Sequence, residues 1–466
     1  MNNNFTVAFS KSMLSIGLAS ASTVTQAGSF GLFEQSASGQ GVAFAGVSAI
    51  AEDASTIYFN PAGMTRLSGQ QIVAAGHIIA TDAKYTDGGS RIVIDAAGNT
   101  APLSGTNSTT DETVFVPNFY YSAELDNGVF VGVGVNVPFG LATEYDNGWY
   151  GRYHALKSEI SSININPSIA WKATEKISVG FGISIQYLDL EITNNIQSAA
   201  ACGSVQEAAA GFGLAEPSCA GITGDSHLKM DGDSTEMGWN TGILIDLSDK
   251  ARLGVAYRSA IKHEVSGNSS YTLDPVLGAA AAAVSQPNSP FNILQNTTLE
   301  AAAEVPESFS VSYVRDIDSK WTFLADWTWT GWSSLDTITI LQAGDVPGQE
   351  RSLPLAYANT NRYSAGVHFK PDNKWIYRGG LAFDETPIRS PEQTSPRIPG
   401  NDRTWLSLGL GYIPSPSWSL DFGYSHLFVD DTKINNGPSA ESSGAILTGE
   451  YESSVDIFSA QVNFNF

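Results

Sequence analysis

The chain closes on Val455-Asp-Ile-Phe-Ser-Ala-Gln-Val-Asn-Phe-Asn-Phe466. From Phe458 onward it alternates strictly. Phe458, Ala460, Val462, Phe464 and Phe466 are apolar, whereas Ser459, Gln461, Asn463 and Asn465 between them are polar. A period of two puts every apolar group on one face of a strand. The pattern recurs upstream. Val129, Val131, Val133, Val135 and Val137 alternate with Phe130, Gly132, Gly134 and Asn136. Ile177, Val179, Phe181, Ile183, Ile185 and Tyr187 alternate with Ser178, Gly180, Gly182, Ser184 and Gln186. Leu406, Leu408, Leu410 and Tyr412 do the same with Ser407, Gly409 and Gly411. Strands with one greasy face and one small or polar face, repeated through the chain, predict an all-β, closed antiparallel barrel whose apolar face meets lipid.

Composition agrees. Charged residues make up 15% of the 466 residues, against about 25% in soluble domains. Glycine, 45 in number, suits close-packed strands better than helices. No run of eighteen apolar residues marks a membrane helix in the mature region. The N-terminus reads as an export signal: Lys11 is its only charge, Met13–Ala21 is apolar to small, and Thr25-Gln26-Ala27 fits a small-x-small cleavage site. Residues 1–27 are thus expected to be removed, with Gly28 the mature start. The formal charge is −23, and −24 once Lys11 is lost. So acidic a chain is a poor partner for nucleic acid. Divalent cations offer it a link to an anionic outer leaflet. Cys202 and Cys219 are the only cysteines. An even count in an exported chain favours a disulfide over two free thiols.

Residues 28–70 lack strand periodicity. A small-residue stretch leads into a helix-like segment, Val42–Ala51, and then the breaker Asn60-Pro61-Ala62-Gly63. From 71 onward short turns at 126–128, 173–175, 248–250, 316–319, 371–374 and 414–417 alternate with longer polar connections. Those lie at 83–112, 140–157, 191–235, 265–303, 333–356, 386–402 and 430–450. Six short turns and seven long loops join fourteen strands, an even number with the alternation of outer-membrane barrels. The longest loops are 191–235 and 265–303.

Several segments are similar to the FadL/TodX family of outer-membrane transporters for long-chain fatty acids and other hydrophobic molecules. They are Phe33-Glu-Gln-Ser-Ala-Ser-Gly, Asp53 to Met64, Phe139-Gly-Leu-Ala-Thr-Glu-Tyr145, Gly151-Arg-Tyr153, Asp384-Glu-Thr-Pro-Ile388 and Arg397-Ile-Pro-Gly-Asn-Asp-Arg403. The resemblance covers nearly all of the mature chain. It implies a fourteen-stranded barrel with residues 28–70 folded inside as a hatch. It also implies capture of substrate in a groove between the third and fourth external loops, and a kinked third strand that opens the wall sideways. Asn136-Val137-Pro138-Phe139-Gly140 ends the third strand. Proline removes a ladder donor and glycine weakens a strand, so a break there is physically sensible.

A fatty acid is an apolar tail with one carboxylate. Apolar patches hold the tail by buried area, at about 25 cal/mol per Å², and release needs only a hatch that rearranges. Phe30, Leu32 and Phe33 are candidates for an interior pocket, with packing of the hatch against the wall as the alternative. Arg258, Arg378 and Arg403 fall at inward positions and are candidates for the carboxylate. The competing role is pairing with Glu52, Asp53 or Asp384, and it is expected for at least two of the three. Asn60, Pro61 and Ala62 form a capped turn and, with Pro138, Phe139 and Gly140, are the candidate hatch and gate residues.

Catalytic readings fare badly. Gly-x-Ser-x-Gly, His-Glu-x-x-His, a P-loop and Cys-x-x-Cys are all absent, and the six histidines are scattered. Asp231-Gly-Asp233 lacks the further ligands of a calcium loop. No cofactor or metal is expected. The leading reading is a monomeric passive channel in a Gram-negative outer membrane, inserted by the barrel-assembly machinery among lipid and lipopolysaccharide. Within the same fold the alternative is aromatic hydrocarbon uptake. An outer-membrane lipid hydrolase is the alternative of a different class.

Overall fold

The computed structural model describes residues 29–466 apart from 96, 212, 286–293, 343–350 and 440–441. The expected signal segment, its cleavage site and Gly28 lie outside the described residues. Among those described, fourteen antiparallel strands close into a barrel. The first seven are Gln70–Asp87, Thr109–Glu124, Val129–Asn136 continued by Gly140–Glu144, Lys157–Lys172, Ile177–Ile196, Ser226–Ser248, and Ala251–Arg258 continued by Ile261–Thr272. The eighth and ninth are also interrupted: Thr297–Val305 with Ser308–Asp316, and Trp321–Thr330 with Thr337–Gln342. Thr360–Phe369, Trp375–Asp384, Arg403–Ser415, Trp418–Val429 and Ala445–Asn465 complete the wall. The last strand pairs with the first from Gln71↔Asn465 to Asp87↔Gly449, which closes the ring.

The alternation has the sense expected of a membrane barrel. Phe458 and Phe464 are exposed on the outside, as are Phe181, Ile183, Ile185 and Leu408. Ser459, Gln461 and Asn463 are buried within, with Ser184, Gln186 and Ser407. Apolar side chains outside and polar ones inside invert a soluble protein. The arrangement is stable only where the outside is hydrocarbon. Among the described residues no helix is long and apolar enough to cross a membrane.

The segment before Gln70 fills the lumen with short helices, Ala37–Gln40, Val47–Ile50, Thr56–Phe59 and the 3₁₀ turn Pro61–Arg66. Its hydrogen bonds run to strands all round the ring. Ala37 N donates to Gln461 Oε1, Ser48 N to Ser312 Oγ, Asn60 Nδ2 to the Ile243 carbonyl and Thr65 Oγ1 to Ser178 Oγ. Tyr120, Arg252 and Arg362 donate to the carbonyls of Gln35, Ile50 and Ala43. Only a segment inside the barrel can touch seven strands spread round its circumference.

External-loop boundaries differ from the sequence reading, as the third and fourth loops show. The strands flanking the third loop run on to Ile196 and resume at Ser226, and those of the fourth run to Thr272 and resume at Thr297. On the fifth strand the outward residues change from Ile183 and Ile185 to Tyr187, Asp189 and Glu191. The strand simply continues beyond the lipid into water, where outward polar residues look like loop. The helices Ser198–Gly211 and Pro275–Val284 cap these two hairpins and pack through Cys202, Val205, Ala209, Leu277, Ala280 and Val284. Cys202 and Cys219 are bridged, with Cα atoms 5.9 Å apart.

Candidate functional site

The third strand departs from regular pairing where Pro138 sits. It pairs with the second strand as far as Phe119↔Val135, and beyond that the ladder stops. The two strands meet again where Glu144 N donates to Thr110 Oγ1 at 3.1 Å. Between these points the wall has a window. Pro117, with no N–H to give, falls in the stretch of the second strand that pairs with the first strand but not with the third. On its other side the third strand stays bound to the fourth, through Asn136↔Asn164 and then Gly140↔Ser161.

The backbone freed at the kink is satisfied by the hatch. Leu32 N donates to the Pro138 carbonyl at 2.8 Å, Gly140 N to the Phe30 carbonyl at 2.9 Å, and Gln35 Nε2 to the Val137 carbonyl at 2.9 Å. Residues 30–32 thus act as a short strand laid along the kinked one. The inner side of the window is apolar: Leu32, Val114 and Val116 pack there with Phe33 and Val137.

Beside the window lies a cavity of about 110 Å³. The hatch lines it with Leu32, Phe33, Phe44, Val47, Tyr58 and Phe59, and the wall with Pro138, Phe139, Ala256, Pro306 and Trp332. Polar groups converge on it from Arg258, Arg362, Asp326 and Asp384. Arg258 donates to Ser184 Oγ at 3.2 Å and to the Tyr58 carbonyl at 2.8 Å, with its guanidinium 4.2 Å above the Tyr58 ring. Arg362 donates to the Ala43 carbonyl and stacks on Phe33 and Trp405. Asp326 accepts from Ser312 and Thr328.

The sequence candidates divide. Leu32, Phe33, Pro138, Phe139 and Arg258 line the cavity, and Gly140 anchors the hatch at the kink. Phe30 stands outside the lining, wedged between Phe139 and Trp332 at centroid distances of 5.7 and 5.2 Å. Its part is to hold those two cavity walls, because the chain turns back along the kink at Gly31. Arg378 is taken up by Asp421 at 2.7 Å and Glu52 at 3.2 Å. Arg403 is fully buried beside Asp384 and Glu34. Neither lines the cavity: Arg378 neutralises carboxylates at the hatch–wall contact, and Arg403 lies in the field of Asp384 and Glu34. Arg362 was missed. It shares the inward parity of Ser364 and His368, opposite the outward Tyr363 and Val367, and that was its one sequence signal.

Asn60-Pro61-Ala62 fixes the hatch at the fifth and sixth strands. Asn60 Nδ2 donates to the Ser48 carbonyl at 2.7 Å, and its Oδ1 accepts from Ala62 N at 3.1 Å. Pro61 opens the 3₁₀ turn. The wall gives way with glycine: a Cβ at Gly180 would lie 2.3 Å from Ala62 N, and one at Gly242 2.0 Å from Asn60 Oδ1.

Glu34 is buried in the hatch, and its Oε2 meets no donor among the described residues. Burial raises its carboxyl from 4.5 to about 7, against the pull of Arg362 and Arg403. A folded-state value above the unfolded one means the protonated form favours seating. That contribution is complete below about pH 4.5 and is lost as pH rises through about 7. The penalty above that is of order 3 kcal/mol. A spin label at Ser29→Cys is therefore expected to loosen between pH 5 and 8, and Glu34→Gln to keep it immobile throughout. An identical pH profile in both proteins would refute this.

A lipid-facing barrel plugged by its own N-terminus, with an apolar cavity behind a break in its wall, defines a class of outer-membrane transport channel. The chain belongs to the outer membrane protein transport protein family (OMPP1/FadL/TodX), whose profile matches residues 18–466. Its place is the outer membrane of a Gram-negative bacterium. Among its relatives, the "Long-chain fatty acid transport protein" of Escherichia coli O6:H1 is 29% identical over 98% of this chain and 99% of its own length. "Outer membrane protein P1" of Haemophilus influenzae is 27% identical over 90% of each. A Pseudomonas aeruginosa FadL homologue superposes with a TM-score of 0.82 at 24% identity, over 94% of this chain and all of that one. The Pseudomonas putida toluene transporter TodX gives 0.66 at 16% identity, over 94% and 100%.

Proposed function

We propose that this protein is a passive channel for long-chain fatty acids. It captures them at the third and fourth external loops, holds them in the cavity under the hatch and releases them sideways through the window at Pro138. The observation that carries the substrate is Arg258. It lines the cavity with no ion-pair partner of its own among the described residues: both of its hydrogen bonds go to neutral oxygens, although Asp326 and Asp384 stand in the same lining. A carboxylate is the natural partner for such a guanidinium, whereas an arene offers it only the weaker contact of a ring face. The full-length relatives named for long-chain fatty acid transport support the same substrate. The chemistry asked of the protein is binding alone, which favours a transporter over a hydrolase.

The cavity's size sets the mechanism. A void of about 150 Å³ accepts benzene, so about 110 Å³ takes only the end of an alkyl chain. A whole fatty acid requires Leu32 and Phe33 to withdraw. Because residues 30–32 also pair with the kink, the same withdrawal unseals the window. Loading and lateral release are thereby one motion.

The cavity is nearer in size to a single ring than to a whole fatty acid, which favours aromatic hydrocarbon as the second reading. Arg258→Gln separates the two. For a fatty acid, loss of a charge-assisted bond costs roughly 1.5–3 kcal/mol, or about 10–100-fold in oleate affinity. For an arene the loss is at most that of a cation–π contact, about 0.5–1 kcal/mol, or a few-fold. Equal oleate binding by the folded variant and the parent would sink the fatty-acid reading.

A further inference from the structure

A second cavity, of about 370 Å³, lies among the external loops, and no hatch residue lines it. Its volume falls within the range of about 300–1,000 Å³ typical of small-molecule sites. Apolar side chains come from the wall extensions and the fifth loop: Ile192, Met230, Ile340 and Leu353. Arg397 and His154 supply the polar end.

The loop cations nearby have carboxylate partners. Arg152 is held by Asp225 at 2.9 Å, Lys157 by Glu159 and Glu191, and Lys229 by Glu191. Arg397 differs. It is buried, and its hydrogen bonds go to the Lys157 and Thr193 carbonyls, Ser158 Oγ and Asn194 Oδ1, all neutral. Among the described residues it has no ion-pair partner. Glu392 also lines the cavity, but its Oε1 accepts from Asn435 Nδ2. Beside Arg397, His154 Nε2 is buried without a partner among the described residues. Burial first, and then the Arg397 charge, push that imidazole down to about 4. Among the described lining residues Glu392 is the one carboxylate, and it makes no ion pair with Arg397. A buried guanidinium solvated only by neutral oxygens attracts an anion.

We infer that this outer cavity is a holding station for an amphipathic carboxylate, with Arg397 taking the head group and Ile192, Met230 and Ile340 the start of the tail. The inference rests on the fatty-acid reading above, and it adds a site that shares no lining residue with the hatch cavity and, unlike the groove between the third and fourth loops, draws none from the fourth. A station of this kind selects acids over neutral hydrocarbons before the hatch is reached.

The test is equilibrium binding of labelled oleate and of methyl oleate to the purified full-length barrel, with the hatch locked by a Gly31→Cys/Phe139→Cys disulfide so that only external sites are read. The locked parent is expected to prefer oleate. Arg397→Gln should weaken oleate about tenfold or more and leave methyl oleate unchanged. Ser352→Trp fills the exposed side of the cavity without touching the Arg397 bonds, and should weaken both ligands. Unchanged oleate binding in both variants would overturn the station. So would an equal loss of oleate and methyl oleate in Arg397→Gln, which would mark general damage to the loops. Absence of oleate binding even to the unlocked parent would instead sink the fatty-acid reading beneath it.

Discussion

Deleting Pro138 is expected to reduce labelled oleate uptake to the level of cells lacking the protein, while the barrel stays folded. Between Asn136↔Asn164 and Gly140↔Ser161 the third strand carries residues 137–139 opposite residues 162–163 of the fourth. One residue too many is a bulge, and a bulge bends its strand away from its neighbour. Removing one residue restores a constant register and lets the third strand rejoin the second across Thr110–Asn118. The deletion also removes an acceptor that holds the hatch. A loosened hatch alone would speed passage, so a loss of uptake points to the closed window. Heat-modifiable migration shows whether the variant folds. Normal uptake by a folded variant would contradict the lateral route.

A comparable loss is expected from tying the hatch to the kink. Gly31 and Phe139 face each other in an antiparallel bridge, a geometry within reach of a disulfide. The oxidised Gly31→Cys/Phe139→Cys protein should take up no oleate above background, because residues 30–32 can no longer clear the cavity or the window. Reduction should restore uptake. The Cys202–Cys219 bridge opens under the same treatment, so the parent with and without reductant is the control, with Phe139→Cys alone reporting the cost of losing the ring. Full uptake by the oxidised protein would show that the hatch edge does not move.

Much of this was legible in the residues. The Phe458–Phe466 alternation gave the sense of the wall, because lipid and lumen impose opposite demands on successive side chains. Pro138 marked the kink through its missing donor. What the kink pairs with was not legible: Leu32 and Pro138 are distant in sequence, and their hydrogen bond is between backbone groups that carry no residue signature. The arginines show a similar limit. Inward parity identifies Arg258, Arg362, Arg378 and Arg403 equally. Only the fold reveals that Glu52 and Asp421 claim Arg378, while Arg258 meets neutral oxygens in the cavity. Phe30 was read as pocket lining because it stands beside Leu32 and Phe33, yet the chain's turn along the kink carries it behind Phe139.

The most direct measurement compares uptake of labelled oleate and labelled toluene by cells that lack their own transporters and express this protein. Saturable oleate uptake that falls with Arg258→Gln, with toluene at background, is the expected result. Toluene uptake above background with oleate at background would contradict the fatty-acid assignment.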